Sequence, residues 1–374
     1  MDRTTSIYKI ISIADIHFGS LDPKYTYEQL KKQFIESIRK IDFDVLFICG
    51  DYFDAKFMSN NPIISYSLLF MDELVGLCID KDATILIIEG TKSHDNGQLS
   101  LFYHYLQDDR IDIRIVEKIQ FEIVKGLRVL CIPEKYGIEE SIYEEVLYNS
   151  GLYDLCVLHG TIKGSVYGAE LATLKSTHTP VFTLSHFKNC LGPILCGHVH
   201  KSGCFEQYIY YNGCPLRYKF GEEEPKGFLV TLYNSETRMH YTELIPIDSY
   251  TYNTINISDL IDKDPKEIIE YIKTVKEKNG IDFIRIQFSG TNDNMNIVKA
   301  YFRNSNSVRL QELDKKTKQK NIIDEKIVEQ NNKYPFIFND SLSDYDKFVE
   351  YINKNEGYEF ISTEDLITLL EECA

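Results

Sequence analysis

The chain has 374 residues, 43% of them hydrophobic and 13% aromatic. That length exceeds the usual range of a single hydrophobic core, so two or more domains are expected, with enough apolar content to fill them. A formal net charge of −16 argues against a tight, autonomous binder of duplex nucleic acid, because phosphate binding draws on Lys and Arg and on counterion release.

In chain order, the first apolar run, Tyr8 to Ala14, reads as a strand that stops at Asp15-Ile16-His17. Tyr27 to Ile41 predicts a helix, with Leu30, Phe34, Ile35 and Ile38 at helical spacing. Val45 to Cys49 is a second strand, ending at Gly50-Asp51. Ile64 to Ile79 predicts a second helix through Leu68, Met71, Leu74, Val75 and Cys78. Thr84 to Ile88 is the third strand, and Gly90-Thr91-Lys92-Ser93-His94-Asp95 follows it. Leu155 to Leu158 leads into His159-Gly160, and Pro193 to Cys196 leads into Gly197-His198-Val199-His200. Short strands are then predicted at Cys204–Glu206, Tyr208–Tyr211, Gly227–Tyr233 and Arg238–Leu244. The pattern is α/β layers that finish with antiparallel strands.

Pro246 and the polar stretch Asp248 to Thr254 mark a domain boundary after residues 1–246. Residues 255–330 read as a small α/β module: helix Asp264–Lys278, strand Asp282–Ser289, helix Asn294–Phe302 and strand Ser307–Leu313. The run Lys315-Lys316-Thr317-Lys318-Gln319-Lys320 is either a phosphate contact or a solvated loop. An acidic final stretch, 341–374, holds two short helix patterns, Asp344–Asn353 and Thr363–Glu372, each with an apolar face.

A strand ending in a metal-capable side chain, five times over, points to a ligand cluster at one edge of a sheet. The chemistry fits a phosphodiester, an anion that resists attack by water. Two divalent ions ~3.5–4 Å apart neutralise that charge, activate water and stabilise the leaving oxygen. Mixed imidazole and carboxylate ligation suits Mn, Fe or Zn better than Ca or Mg. None of the nine cysteines lies in a motif, and Cys190, Cys196, Cys204 and Cys214 lack the paired spacing of a zinc site.

These blocks resemble those of the calcineurin-like metallophosphoesterases, D-x-H, GD-x-x-D, GNHD, H and G-H-x-H, in order and over roughly the first 245 residues. Within that superfamily the chain looks most like SbcD-type DNA repair nuclease subunits and their phage recombination-endonuclease relatives. The stretch Tyr211-Asn212-Gly213-Cys214-Pro215-Leu216-Arg217-Tyr218-Lys219-Phe220-Gly221-Glu222, followed by Lys226-Gly227-Phe228, is similar to a segment that SbcD-like chains carry after G-H-x-H. The resemblance implies a four-layer β-sandwich flanked by helices, then a capping domain that orients DNA and a helical segment that docks on an SbcC-type coiled-coil ATPase; the alternative for that segment is a tail packed on the capping domain. It implies two Mn ions. Asp15, His17 and His200 would hold one, Asp51 would bridge, and His159 and His198 would hold the second. His94 would serve the scissile phosphate or the leaving oxygen, with Asp95 orienting its ring, and Asp54 would bond loop backbone. Lys92 and Arg217 would contact substrate. A homodimer acting on DNA, as exonuclease on duplex and endonuclease on single strands, is the implied assembly.

One block departs from the pattern. Counting back from His94 puts Ser93 at the metal-binding asparagine, with two extra residues after Gly90. A hydroxyl is a poorer ligand than an amide carbonyl. The open alternatives are Ser93 on the metal, a site completed by water, and ligation by Asn96. Each motif alone has a bland explanation as a cap or turn, and His104, His178, His186 and His240 lie outside the blocks and read as packed or surface residues. A stand-alone metallophosphoesterase acting on nucleotides, RNA ends or phosphoproteins is the second reading, and an inactive scaffold the third. No apolar run approaches the ~20 residues of a membrane helix, no secretory leader is visible, and an odd number of cysteines suits a reducing compartment. A cytoplasmic protein is expected. Richness in Ile, Lys, Asn and Tyr suits an A/T-rich genome such as a phage's.

Overall fold

The structure, a computed structural model, describes residues 7–136, 140–149, 151–165, 180–206, 208–290 and 292–313. The basic run Lys315–Lys320, His178 and the expected docking segment 341–374 lie outside the described residues. The chain divides into two compact units, Met1–Thr254 with Lys273–Arg285, and Ile255–Ile272 with the residues from Ile286 onward.

The first unit is built on two six-stranded mixed sheets. In the first, β1 (Ile7–Ile13), β2 (Val45–Ile48), β3 (Thr84–Ile88) and β4 (Ile113–Val116) run parallel. In the second, β5 (Gln120–Val124) lies antiparallel on β6 (Leu127–Ile132), which is parallel to β7 (Leu155–His159). A parallel pair, β8 (Thr161–Ile162) and β9 (Val181–Phe182), stands apart. The second sheet continues with β10 (Ile194–Gly197), parallel to β7 and to β12 (Ile209–Tyr211), and ends with β11 (Gly203–Phe205) antiparallel on β12. The first sheet is completed by β13 (Lys226–Asn234) and β14 (His240–Ile247), which return antiparallel beside β1.

The central strands are buried on both faces, which is why they read as continuous apolar runs. Side chains nevertheless alternate between two cores. Ile11, Ile13, Leu46, Ile48, Ile85 and Ile87 face the helices, whereas Ile10, Ala14, Val45, Phe47, Cys49, Leu86 and Ile88 meet Val129, Cys131, Leu155, Val157 and Leu195 of the second sheet. The outer face of the second sheet packs Leu130, Ile132, Cys156, Leu158 and Ile194 with Tyr143 and Leu147 of a helix at Glu140–Asn149. The layers are therefore helix, sheet, sheet, helix: the expected α/β sandwich.

Over the first sheet, the predicted helix at Tyr27 is longer and less regular than its spacing suggests. It begins at Pro23, where the Asp22 side chain accepts from the Tyr25 amide, and runs through a π-helical segment, Leu30–Ile35, to Arg39. The helix predicted at Ile64 spans Pro62–Lys81, with Asn61 as its N-cap and Asp82 in the left-handed conformation at its end. Its length and composition would suit a membrane span, yet Phe70, Met71, Leu74, Leu77 and Cys78 are buried in the core. Residues Gln98–Gln107, which carry His104, form a 3-10 segment. The eight described cysteines are unpaired, most of them buried as small apolar groups.

Beyond Ile247 come three strands in the order β15 (Tyr252–Asn256), β16 (Phe283–Phe288), β17 (Val308–Glu312), with helices Pro265–Lys278 and Asp293–Phe302. In the second unit Ile268, Ile272, Ile286, Phe288, Met295 and Val298 are buried.

Candidate metal centre

The parallel strands of both sheets deliver their carboxyl-terminal ends to one place. Asp15 follows β1, Asp51 follows β2, Thr91 follows β3, Glu134 follows β6, His159 ends β7, and His198 and His200 follow β10. Backbone geometry there is unusual. Asp15, His17, Asp51 and His198 all have positive φ (51°, 47°, 51° and 88°), a conformation that costs L residues energy and concentrates at functional sites. The loops also approach very closely: a Cβ on Gly197 would lie 2.2 Å from the Cys49 carbonyl oxygen and 2.7 Å from His159 Nδ1.

At the first ligand position, Asp15, His17 and His200 present donor atoms within 4.8 Å of one another. The Nε2 atoms of His17 and His200 face each other at 3.0 Å. His200 Nδ1 is turned away and meets Glu222 Oε1 at 2.8 Å, which fixes the ring and leaves Nε2 for the cluster. Glu222 in turn accepts from the Tyr218 amide at 2.8 Å, while the Tyr218 hydroxyl donates to the carbonyls of Asp15 and Ile16. Lys226 Nζ donates to the His200 carbonyl at 2.9 Å. The stretch after G-H-x-H therefore braces both D-x-H and G-H-x-H.

At the second position, Glu134, His159 and His198 form a similar group. His159 Nδ1 donates to the Cys49 carbonyl at 2.7 Å, so its Nε2 is the free donor, 3.3 Å from Asp51 Oδ2 and 3.7 Å from Glu134 Oε2. Asp51 Oδ2 is also 3.8 Å from His17 Nε2, and so lies between the two groups. Its other oxygen accepts from the Thr91 amide at 2.6 Å.

The electrostatics follow from burial in close quarters. Burial pushes Asp15 up, against His159 and His200, which pull it down. Burial likewise opposes ionisation of Asp51, but His159 and His17 outweigh it and hold the carboxyl far below its usual range. Burial depresses His17 to about 3, so its ring is a neutral donor. For His200, burial is overcome by Cys214 and Glu222, which raise it to about 10. His159 is buried too, yet Asp51, Asp15 and Glu134 raise it well above the ordinary value.

The structure brings together Asp15, His17, Asp51, His159, His198 and His200. His94 lies beside them, its ring centroid 4.7 Å from that of His17, with Nδ1 held by the Asp54 carbonyl. Asp95 plays a part different from the expected one. Its carboxylate accepts the amides of Asp51 (3.1 Å), Phe53 (3.0 Å) and Gly90 (2.7 Å), tying two ligand loops together, while Asp54 holds the His94 ring. Lys92 and Ser93 are exposed in the turn. Thr91 is buried instead, its hydroxyl 3.3 Å from Asp51 Oδ2, 3.3 Å from Glu134 Oε2 and 3.4 Å from His159 Nε2. Asn96 is half-buried with φ of 42°. Arg217 sends its guanidinium to the Glu224 carbonyl at 3.1 Å.

Glu134, Thr91 and the bracing role of Glu222 went unread in the sequence. The available signal for Glu134 was the apolar run Leu127–Ile132 ending at Pro133-Glu134, one more strand that stops at a metal-capable group. Imidazole nitrogens and carboxylate oxygens converging on two positions suit divalent ions, and Glu134 Oε1 is a buried oxygen with no hydrogen-bond partner among the described residues. The residues fit a metal centre.

No family model matches the chain. It is similar to the SbcD component of the SbcCD nuclease of Staphylococcus saprophyticus, 21% identical over 340 residues that cover 82% of this chain and 85% of the relative. It is also similar to "Putative phosphoesterase 244L" of Invertebrate iridescent virus 6, 19% identical over 259 residues, 67% of this chain and 85% of the relative. A solved structure overlaps 64% of this chain and 99% of its own at 13% identity, but its TM-score of 0.37 is too low to carry the fold. The chain is thus a distant relative of proteins named as an SbcCD nuclease component and as a phosphoesterase, consistent with a metallophosphoesterase-type family.

Proposed function

We propose that the protein is a Mn-dependent DNA nuclease, exonucleolytic on duplex ends and endonucleolytic on single strands, working as a homodimer with an SbcC-type ATPase. The observation that carries this reading is the Tyr211–Glu222 stretch. It brackets the metal cluster through Glu222 on His200 and Tyr218 on the D-x-H loop, and it is the segment in which the chain resembles SbcD-like nucleases. Asp15, His17 and His200 hold one ion, His159 and His198 the other, and Asp51 stands between them. When bound, the ions supply Lewis-acid chemistry, neutralising the phosphodiester and making water a competent nucleophile near neutral pH. His94, anchored through Nδ1 to the Asp54 carbonyl, leaves Nε2 to assist the leaving 3′ oxygen. Residues 255–330 orient DNA, and residues 341–374 dock on the ATPase, which supplies much of the cationic surface that a chain of net charge −16 lacks.

The test is hydrolysis of labelled linear duplex and single-stranded DNA with Mn²⁺, beside bis-p-nitrophenyl phosphate. Asp51→Asn is expected to abolish all hydrolysis, and His94→Ala to lower DNA cleavage by about 10²–10⁴-fold. Full activity of Asp51→Asn would overturn the site. A stand-alone phosphoesterase is favoured by the acidic balance, and its signature is hydrolysis of the small ester with DNA left intact, with or without an added ATPase.

A further inference from the structure

The family pattern leaves the second metal position short of a ligand, since the asparagine block is rearranged here. The hydroxyl that the structure turns inward, that of Thr91, is neutral. Without another group, the second ion would have two imidazoles and a share of one carboxylate, Asp51. Glu134 stands in that gap. It is 1% exposed, and its Oε2 lies 3.0 Å from His198 Nδ1, 3.3 Å from Thr91 Oγ1 and 3.7 Å from His159 Nε2. Its other oxygen, Oε1, is buried with no hydrogen-bond partner among the described residues.

A carboxylate buried this deeply is costly unless its charge is matched and its oxygens are satisfied. Among the described residues His198 satisfies one oxygen and nothing satisfies the other. The loop that carries Glu134 is fixed: Pro133 precedes it, and the neighbouring Lys135 forms an ion pair with Glu89, the residue after β3. The side chain is thereby held at the inner edge of both sheets, where it does not reach solvent. An incompletely satisfied anion among three metal-type donors is the arrangement expected of a ligand whose ion completes its coordination.

We infer that Glu134 is the carboxylate ligand of the second metal, replacing the asparagine carbonyl that the family pattern places there, with Thr91 rather than Ser93 as the hydroxyl beside it. The inference rests on the two-metal reading above. It changes the character of the site. An anionic oxygen replaces a neutral one, so three carboxylates (Asp15, Asp51 and Glu134) face two divalent ions, and the second ion binds more tightly than an amide-ligated one would.

The test counts metal instead of turnover. Full-length wild type, Glu134→Gln and Glu134→Asp are dialysed against Mn²⁺ at a series of concentrations and analysed by elemental mass spectrometry, with low-temperature electron paramagnetic resonance for exchange-coupled ion pairs. Wild type is expected to hold about two ions and to show the coupled signal of a two-metal site. Glu134→Gln, which trades the carboxylate for a neutral amide oxygen, is expected to hold its second ion about 10–100-fold more weakly, so that the coupled signal is lost at Mn²⁺ concentrations that saturate wild type and returns at higher ones. Glu134→Asp retains the charge with a shorter reach and is expected to lie between, which keeps the question answerable if Glu134→Gln does not fold. Wild-type second-site affinity in folded Glu134→Gln overturns the inference while leaving the two-metal reading intact. So does loss of the second ion in Ser93→Ala with none in Glu134→Gln. Failure of wild type to bind a coupled pair would instead overturn the two-metal reading itself.

Discussion

Among single residues, the histidines set the pH behaviour of the centre. In the metal-free protein His159 and His200 are both raised above the ordinary imidazole value, His159 by Asp51, Asp15 and Glu134, and His200 by Cys214 and Glu222 to about 10. For such groups the stabilisation is fully present below about pH 6.5 and is lost as pH rises through the folded value. A divalent ion needs neutral nitrogen, so binding must displace these protons. Between about pH 6.5 and 9 each ring therefore adds up to about tenfold in Mn affinity per pH unit, and binding releases protons. Calorimetry of Mn binding in buffers of differing ionisation enthalpy is expected to show proton release at about pH 7.5. A buffer-independent enthalpy would mean that these rings are already neutral and that the carboxylates do not control them.

At the level of elements, the site depends on strand ends that nearly touch. Gly197 ends β10 where a Cβ would collide with the Cys49 carbonyl at the end of β2 and with the His159 ring at the end of β7. Gly197→Ala must spread the sheets or tilt that ring. It is expected to cost about 1–3 kcal/mol of stability, as overpacking does, and to weaken Mn binding as well, because the displaced ring belongs to a proposed ligand. Denaturation midpoints with and without Mn²⁺ measure both effects, and equal midpoints for variant and wild type would show that the edges yield freely. This crowding also separates what the sequence discloses from what it hides. β1, β2, β3, β7 and β10 were legible because strands buried on both faces are apolar runs, and each ends in a recognisable block. β6 is just as apolar, but Pro133-Glu134 resembles any strand-ending turn, so neither the strand nor its carboxylate stood out. The Thr91–His94 loop was ambiguous for another reason. Two additional residues can bulge on either side of the inward hydroxyl, and counting from His94 rather than from Gly90 favours Ser93. Only the fold shows that Lys92 and Ser93 form the bulge.

Across the first unit, the candidate centre lies between two sheets that otherwise meet through apolar packing and a few polar links such as Ser12 Oγ to Asn212 Oδ1 at 2.6 Å. Each ligand position draws on both sheets. The first takes Asp15 and His17 from the β1 side and His200 from the β10 side. The second takes Asp51 from β2, and His159 and His198 from β7 and β10. Ions bound there would oppose separation of the sheets and would neutralise Asp15, Asp51 and Glu134. At free Mn²⁺ about 100 times the dissociation constant, each site contributes about 2.7 kcal/mol to the folded state. For a unit of this size about 1 kcal/mol moves the melting temperature by about 2–4 °C. Replacing Mn²⁺ with EDTA is therefore expected to lower the melting temperature by roughly 10–20 °C if both positions fill. Asp51→Asn, which removes the charge between the two positions, should flatten that response. A scanning calorimetry trace unmoved by EDTA would mean that the carboxyl-terminal strand edges are held by packing alone, and the sheets would then need no ion to stay closed.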